Sequence, residues 1–208
     1  MTLLAVDGDS DAAVVEARPG AATARLAGLP PVVRRSAVMV PVTGLDHLIG
    51  GWRDRHDPSA AVGVPAHVTL LYPFVPGADI GRAVPVLRTV FADVRAGQFN
   101  LGHVGVFPWV TWLAPEPVEL FRDLTRRLID RFPACRPYDG AFGVPTPHAT
   151  VIDHSTREGD YDGYADAHRR FVAGIETSLP VTVPFTEIRL IVEHDDGMWS
   201  THTTFGLR

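Results

Sequence analysis

Two short stretches carry the residue types that can move protons at neutral pH: His67-Val68-Thr69-Leu70 and His148-Ala149-Thr150-Val151. Each places a histidine and a threonine two positions apart inside an apolar run. In an extended strand successive side chains alternate faces, so His67 and Thr69 leave one side while Val68 and Leu70 leave the other, and the second stretch repeats the arrangement. A pair of imidazoles facing one cleft can cleave a phosphodiester without a metal. The neutral ring takes a proton from water, and the protonated ring gives one to the departing sugar oxygen. Threonine hydroxyls beside them can donate to the non-bridging phosphate oxygens as charge builds there.

A bare His-x-Thr is a weak signal. With nine histidines and sixteen threonines in 208 residues, about one copy is expected by chance, and a third copy, His202-Thr203-Thr204, lies in the polar run WSTHTTF. A lone histidine in an apolar strand is also more often a hydrogen-bonded structural residue than a catalyst. Context separates the first two copies from the third. Both sit in apolar strands, and both follow a Gly-Val-Pro, in GVPAHVTLL (63–71) and GVPTPHATVI (143–152). The two histidines are 81 residues apart, a separation that suits delivery from two equivalent lobes rather than from one local motif.

The elements that must hold these residues are legible from periodicity. Strands are predicted at 36–42, 66–72 and 148–153, and a strand pair at 98–106 and 109–114 turning at Phe107-Pro108. Helices are predicted at 43–57 with Thr43 near the N-cap, at 79–95, at 116–132 and at 161–175. Residues 180–193 read as β structure, and EHDDGMW as a hairpin turn centred on Asp-Gly, leading into a last strand that ends near Phe205. Mixed helices and strand pairs favour an α+β fold over a doubly wound sheet, and no glycine-rich dinucleotide fingerprint follows any strand. Residues 1–35, rich in Ala, Gly, Pro and Asp, read as a flexible extension. Residues 36–208 then form one bilobal domain.

Composition narrows the chemistry. All 19 basic residues are arginine, which excludes a Schiff-base lysine, a P-loop lysine and the lysine nucleophile of an ATP-dependent ligase. A formal net charge of −5 argues against gripping long duplex nucleic acid by phosphate neutralisation. The single cysteine, Cys135, cannot close an intrachain disulfide, and its turn-like surroundings RFPACRPYDG hold no histidine to activate it. No apolar run reaches membrane-spanning length and the N-terminus carries acids where a signal peptide has bases, so a cytoplasmic location is expected.

Two clusters have metal-ligand chemistry: His148 with Asp153 and His154, and Glu193-His194-Asp195-Asp196. The second reads as a solvated hairpin tip. Phe107, Trp109 and Trp112 read as cleft-lining or core aromatics. The arginines at 122, 126, 127 and 131 read as a solvated helix face.

The paired HVTL and HATV motifs, with VGVPAHVTLLYPF, FPWVTWLAPEP and PTPHATV around them, resemble the two-histidine (2H) phosphoesterase superfamily in its 2′-5′ RNA ligase-like branch. The resemblance covers roughly residues 36–207. It implies a bilobal α+β fold of two mainly antiparallel sheets with flanking helices and pseudo-twofold symmetry. It further implies a site that needs no metal or other cofactor, acting on 2′,3′-cyclic phosphates or related 2′-linked phosphodiesters of nucleotides or RNA ends. On this resemblance His67 and His148 are the acid-base pair and Thr69 and Thr150 hold the phosphate. Tyr72, five residues beyond the first histidine, approaches the base or ribose. Three alternatives stand beside hydrolysis: a non-catalytic nucleotide or RNA-end binding module, 2′-5′ RNA ligation by the reverse reaction, and a metal-dependent hydrolase.

Overall fold

A computed structural model describes residues 33–141, 145–157 and 159–208. The expected extension lies, up to residue 32, outside the described residues, as do Gly143 and Val144 of the second Gly-Val-Pro.

Among the described residues eight strands form two four-stranded antiparallel sheets. The first sheet has the order β2-β1-β7-β8 and the second β5-β4-β3-β6. The strands are β1 (Val33–Pro41), β2 (His67–Leu71), β3 (Gly97–Phe107), β4 (Val110–Glu116), β5 (Ala149–Asp153), β6 (Val181–Phe185), β7 (Glu187–His194) and β8 (Trp199–Gly206). In each sheet the edge strand that carries or follows a His-x-Thr motif, β2 or β5, pairs with a longer central strand. The two edges lie against each other. This is the expected α+β, pseudo-twofold arrangement.

The sheets share one core. Val68 and Leu70 from β2 and Ala149 and Val151 from β5 are all buried in it, with Phe99, Phe121 and Phe171. β1 and β7 are central strands covered on both faces, which is why they read as near-continuous runs of Val, Ile and Leu rather than as alternation. Val38, Val40, Leu190 and Val192 face the main core. Ala37, Met39 and Ile191 form a second, smaller apolar cluster on the opposite face with Val64. That second face carries His67 and Thr69, since Pro41 pairs with His67 and Met39 with Thr69.

Among the described residues five α-helices flank the sheets: α1 (Gly51–His56), α2 (Pro58–Ala61), α3 (Ile80–Val90), α4 (Val118–Arg131) and α5 (Tyr161–Ile175). α4 lies on β2, where the Thr125 hydroxyl donates to the Leu70 carbonyl at 2.9 Å. α1 lies on β5, with Trp52 edge-on to Phe171 of α5 at 5.5 Å between centroids.

Two local expectations are corrected. The helix expected over 43–57 starts only at Asp46, with one wide turn over Asp46–Gly50 before α1, and Thr43 caps nothing. Gly44 stands at φ 79, a left-handed conformation that stops a helix from beginning at Thr43. Residues 180–193 are β structure, as expected, and divide into two strands in different sheets with Thr186 between them. The lobes are therefore not successive halves of the chain, because the C-terminal β7 and β8 complete the first sheet. The β3–β4 turn falls at Pro108-Trp109 rather than at Phe107-Pro108, with Trp109 at φ 64. No helix among the described residues is long and apolar enough to cross a membrane.

Candidate active site

Burial along the two motifs is identical. His67, Thr69, His148 and Thr150 are half-buried, and Val68, Leu70, Ala149 and Val151 are buried. The alternation expected of a strand that serves a core on one face and a cleft on the other is thus present twice.

The imidazoles are held in the same way. Nδ1 of His67 donates to the carbonyl of Pro65 at 2.8 Å, and Nδ1 of His148 donates to the carbonyl of Thr146 at 2.7 Å. In both cases the acceptor lies two residues upstream. A carbonyl can only accept, so the hydrogen of each neutral ring sits on Nδ1 and Nε2 keeps a lone pair. The Nε2 of His67 stands 3.1 Å from the Thr69 hydroxyl, which donates to it. The matching element is therefore the carbonyl two residues back, Pro65 or Thr146, rather than the Gly-Val-Pro triplets, which stand at different distances from their histidines.

Both histidines are pushed toward the neutral form. Burial depresses the His67 imidazole to about 4, opposed by the Pro65 carbonyl and Asp57 and reinforced by Arg53 and His148. Burial also lowers His148, with the Thr146 carbonyl and Asp153 opposing. The charge of His148 disfavours protonation of His67, as a nearby like charge does.

A buried ion pair frames the loop into His67. Arg53, 6% exposed, and Asp57, 5% exposed, meet with Nε 3.0 Å and Nη2 2.9 Å from the same carboxylate oxygen. The other oxygen of Asp57 accepts from the Ser59 amide at 2.9 Å. Arg53 Nη2 also donates to the Ser59 hydroxyl and to the Val64 carbonyl, both at 3.1 Å. Val64 precedes Pro65, whose carbonyl holds His67. This pair was not legible in the sequence, although an Arg and an Asp four apart on a helix, next to a proline, is a signal worth following.

Aromatic residues lie beside both motifs. The Tyr72 ring lies 6.3 Å from Trp199 and 6.4 Å from Tyr138, and its hydroxyl accepts from Arg35 at 2.7 Å. Arg35 grips Glu193 through Nε at 2.5 Å and Nη2 at 2.8 Å and stands 5.8 Å over the Trp199 ring. Beside His148 lie Phe107 at 5.1 Å and Trp112 at 6.0 Å. A side chain at Gly105 would meet the Trp112 ring at 2.3 Å, so glycine is what lets that ring lie flat across β3. Sequence reading missed Arg35, Glu193 and Tyr138 as neighbours of the site.

Other expectations change. Glu193 is not part of a solvated tip; it is buried, and Arg35 holds its carboxyl below the usual carboxylate range. His154 follows the far end of β5 from His148, is buried, and approaches Asp160 at 3.0 Å and His56 at 3.1 Å. Among the described residues no group of three or more His, Cys, Asp or Glu is arranged to hold a metal ion. Trp109 packs on Tyr161 and Tyr164 of α5, away from His148. Cys135 donates to the Phe74 carbonyl, and burial raises its thiol pKa. His202 is exposed and bonded to Thr203.

No curated protein matches the chain. Among solved structures, LigT from E. coli in its apo form superposes with a TM-score of 0.52 at 18% identity, over 85% of this chain and 98% of LigT. E. coli LigT complexed with 3′-AMP gives 0.52 at 17%, over 84% and 98%. Usb1 from Kluyveromyces marxianus gives 0.53 at 14%, over 85% and 99%. At such identities these likenesses speak to the fold. The family itself is shown by the model of the 2′-5′ RNA ligase superfamily, which matches residues 41–197 and so spans both His-x-Thr motifs: the chain belongs to that superfamily of two-histidine phosphoesterases.

Proposed function

We propose that this protein is a metal-independent phosphodiesterase that hydrolyses 2′,3′-cyclic phosphates, or related 2′-linked phosphodiesters, on nucleotides or RNA ends. Members of its superfamily act on phosphodiester bonds. The observation that carries the finer reading is the matched anchoring of two imidazoles through Nδ1, which leaves an Nε2 lone pair on each of two neighbouring strand motifs. A binding module has no use for two oriented titrating groups.

In this reading His67, the more strongly depressed, is the general base. Its Nε2 accepts a proton from water as the water oxygen attacks phosphorus. The bond from phosphorus to the ribose 2′ or 3′ oxygen breaks, and His148 delivers its Nε2 proton to that oxygen. Thr69 and Thr150 donate to the non-bridging oxygens through the pentacoordinate stage. The product is a phosphomonoester beside a free hydroxyl. Tyr72 and Trp199 offer ring faces to a ribose or base, and the complex of LigT with 3′-AMP supports a nucleotide ligand. Arg35 is paired with Glu193 and Arg189 with Glu187, which favours a substrate with one phosphate over a long polyanion.

Incubation of purified protein with 2′,3′-cyclic nucleotides and with a short RNA ending in a cyclic phosphate tests the reading. Turnover is expected to survive EDTA. Its loss would overturn metal independence, and no turnover of any 2′-linked substrate would leave the binding module.

The pH profile supplies a further test. The competent free enzyme has His67 neutral and His148 protonated. Its fraction rises as pH climbs through the His67 value, about 4, and falls as pH climbs through that of His148, which burial places below 6.5. A bell in kcat/KM with its descending limb below 6.5 is expected. The phosphate anion favours both imidazolium forms once bound, so the limbs of kcat lie at higher pH. A kcat/KM flat between pH 4 and 8 would contradict the assignment.

A further inference from the structure

We propose that Arg35 is a specificity-determining residue: its guanidinium, pinned by Glu193, Tyr72 and Trp199, is a platform on which the nucleobase of the substrate stacks, and it favours purines over pyrimidines. The inference rests on reading His67 and His148 as a phosphodiester site, and concerns the end of that site remote from the phosphate.

One face of the first sheet carries both ends. On β1, Pro41 lies opposite His67 and Met39 opposite Thr69, and the register against β2 shifts between Val38 and Met39. After that shift Leu71 falls in the main core, and Tyr72 packs with Met39 and Trp199 in the smaller apolar cluster, on the side of His67 and Thr69. Arg35 meets both aromatic members of that cluster, Tyr72 through its hydroxyl and Trp199 through its ring. It lies four positions along β1 from Met39, roughly 13 Å at the rise of a strand, a separation that a nucleoside bridges and a phosphate alone does not. The loop into β2 ties the two ends together. The Trp199 amide donates to the Val62 carbonyl at 2.8 Å. Gly63 stands at φ 88, where a Cβ would meet the Trp199 carbonyl at 2.9 Å. Two residues further on, the Pro65 carbonyl holds His67.

The chemistry left to Arg35 follows from its contacts. Glu193 accepts from Nε at 2.5 Å and from Nη2 at 2.8 Å, and the Tyr72 hydroxyl accepts from Nη1 at 2.7 Å. Three of the five N–H groups on the guanidinium edge are therefore spent, and its charge is met by a buried carboxylate. A phosphate would need those same edge donors. What Arg35 offers a ligand is a plane. One face stands 5.8 Å over the Trp199 ring, yet the side chain is 53% exposed, so the opposite face is available. A guanidinium backed by an aromatic ring and fixed by a bidentate carboxylate is a surface on which unstacked bases pack. Stacking grows with overlap, and the two fused rings of a purine cover more of such a plane than the single ring of a pyrimidine.

Arg35→Lys keeps a positive charge for Glu193 and removes the plane. In the wild type we expect kcat/KM roughly 5- to 20-fold higher on the 2′,3′-cyclic phosphates of adenosine and guanosine than on those of cytidine and uridine. The lysine variant should lose roughly 5- to 50-fold on the purines and bring that ratio to within about twofold of unity. Inhibition by inorganic phosphate, which occupies only the other end, should be unchanged. Should Arg35→Lys fold poorly, Arg35→Met together with Glu193→Leu strands no charge, and the same ratio decides, because loss of folded protein scales both rates alike. A wild type without purine preference, or a preference that survives in the variants, overturns the proposal. So does a phosphate inhibition constant that weakens in the variants, which would put Arg35 on the phosphate. A preference for guanosine alone would mean that the two remaining N–H groups read a base edge, and would overturn stacking. Failure of the phosphodiesterase reading has its own signature, a wild type that turns over no 2′-linked diester. Titration with 3′-AMP against 3′-CMP then decides Arg35: tighter binding of 3′-AMP that Arg35→Lys abolishes supports the platform, and equal or absent binding rejects it.

Discussion

His148→Ala is expected to lower kcat/KM on a 2′,3′-cyclic nucleotide by roughly 10²–10⁴-fold, and His67→Ala by a similar factor. The two losses have different origins. Without His148 the ribose oxygen must leave as an alkoxide, so the deficit should shrink for a diester whose leaving group is a good one, such as a nitrophenol. Without His67 the attacking water keeps its proton, and a better leaving group does not restore the rate. The double variant should be little worse than the poorer single one, because a base without its acid partner has lost most of its use. Steady-state kinetics of the three variants on both substrates makes the comparison. Either single variant at wild-type rate would remove that histidine from the reaction, and equal rescue of both by the good leaving group would reject the division of roles.

The second large effect is on stability. Arg53→Met leaves Asp57 buried with its main counter-charge gone, and breaking one side of a buried pair typically costs about 3–5 kcal/mol. The Ser59 amide still donates to Asp57, which places the cost toward the lower end. The variant also frees the Val64 carbonyl and the loop that ends in the His67 anchor. It removes a positive charge that disfavours His67 protonation, so the His67 imidazole should titrate at higher pH. Urea unfolding reads the first effect and imidazole NMR titration the second. Removing both partners, with Arg53→Met and Asp57→Leu together, should recover a large part of the lost stability, since no charge is then stranded. A double variant as unstable as the single one would mean that the loop contacts to Ser59 and Val64, and not the ion pair, carry the energy.

The motif strands were legible because their information is local. A period of two over His67–Leu70 and His148–Val151 states which side chains share a face, and both strands keep that pattern. Helix α5 was legible for the same kind of reason, an apolar stripe of Tyr164, Ala167, Phe171 and Ile175 at helical spacing. Where one residue overrode its neighbours the reading failed. Gly44 delayed the helix expected from Thr43, and Trp109, at φ 64, moved the β3–β4 turn to Pro108-Trp109.

The site divides along the same line. Residue order by itself determined that two histidines and two threonines stand on matched strands, that lysine chemistry is absent, and that the family is that of the two-histidine phosphoesterases. Only tertiary structure decided what surrounds them. Arg35 and Glu193 are 158 positions apart, and Tyr138, whose amide donates to the Tyr72 carbonyl, lies 66 residues beyond it. Such contacts arise from sheet order and loop ties, long-range closures in which no segment signals its partner. The tautomer of each imidazole belongs to this second class too. It depends on a carbonyl two residues upstream turning back toward the ring, a backbone direction that residue types alone do not specify.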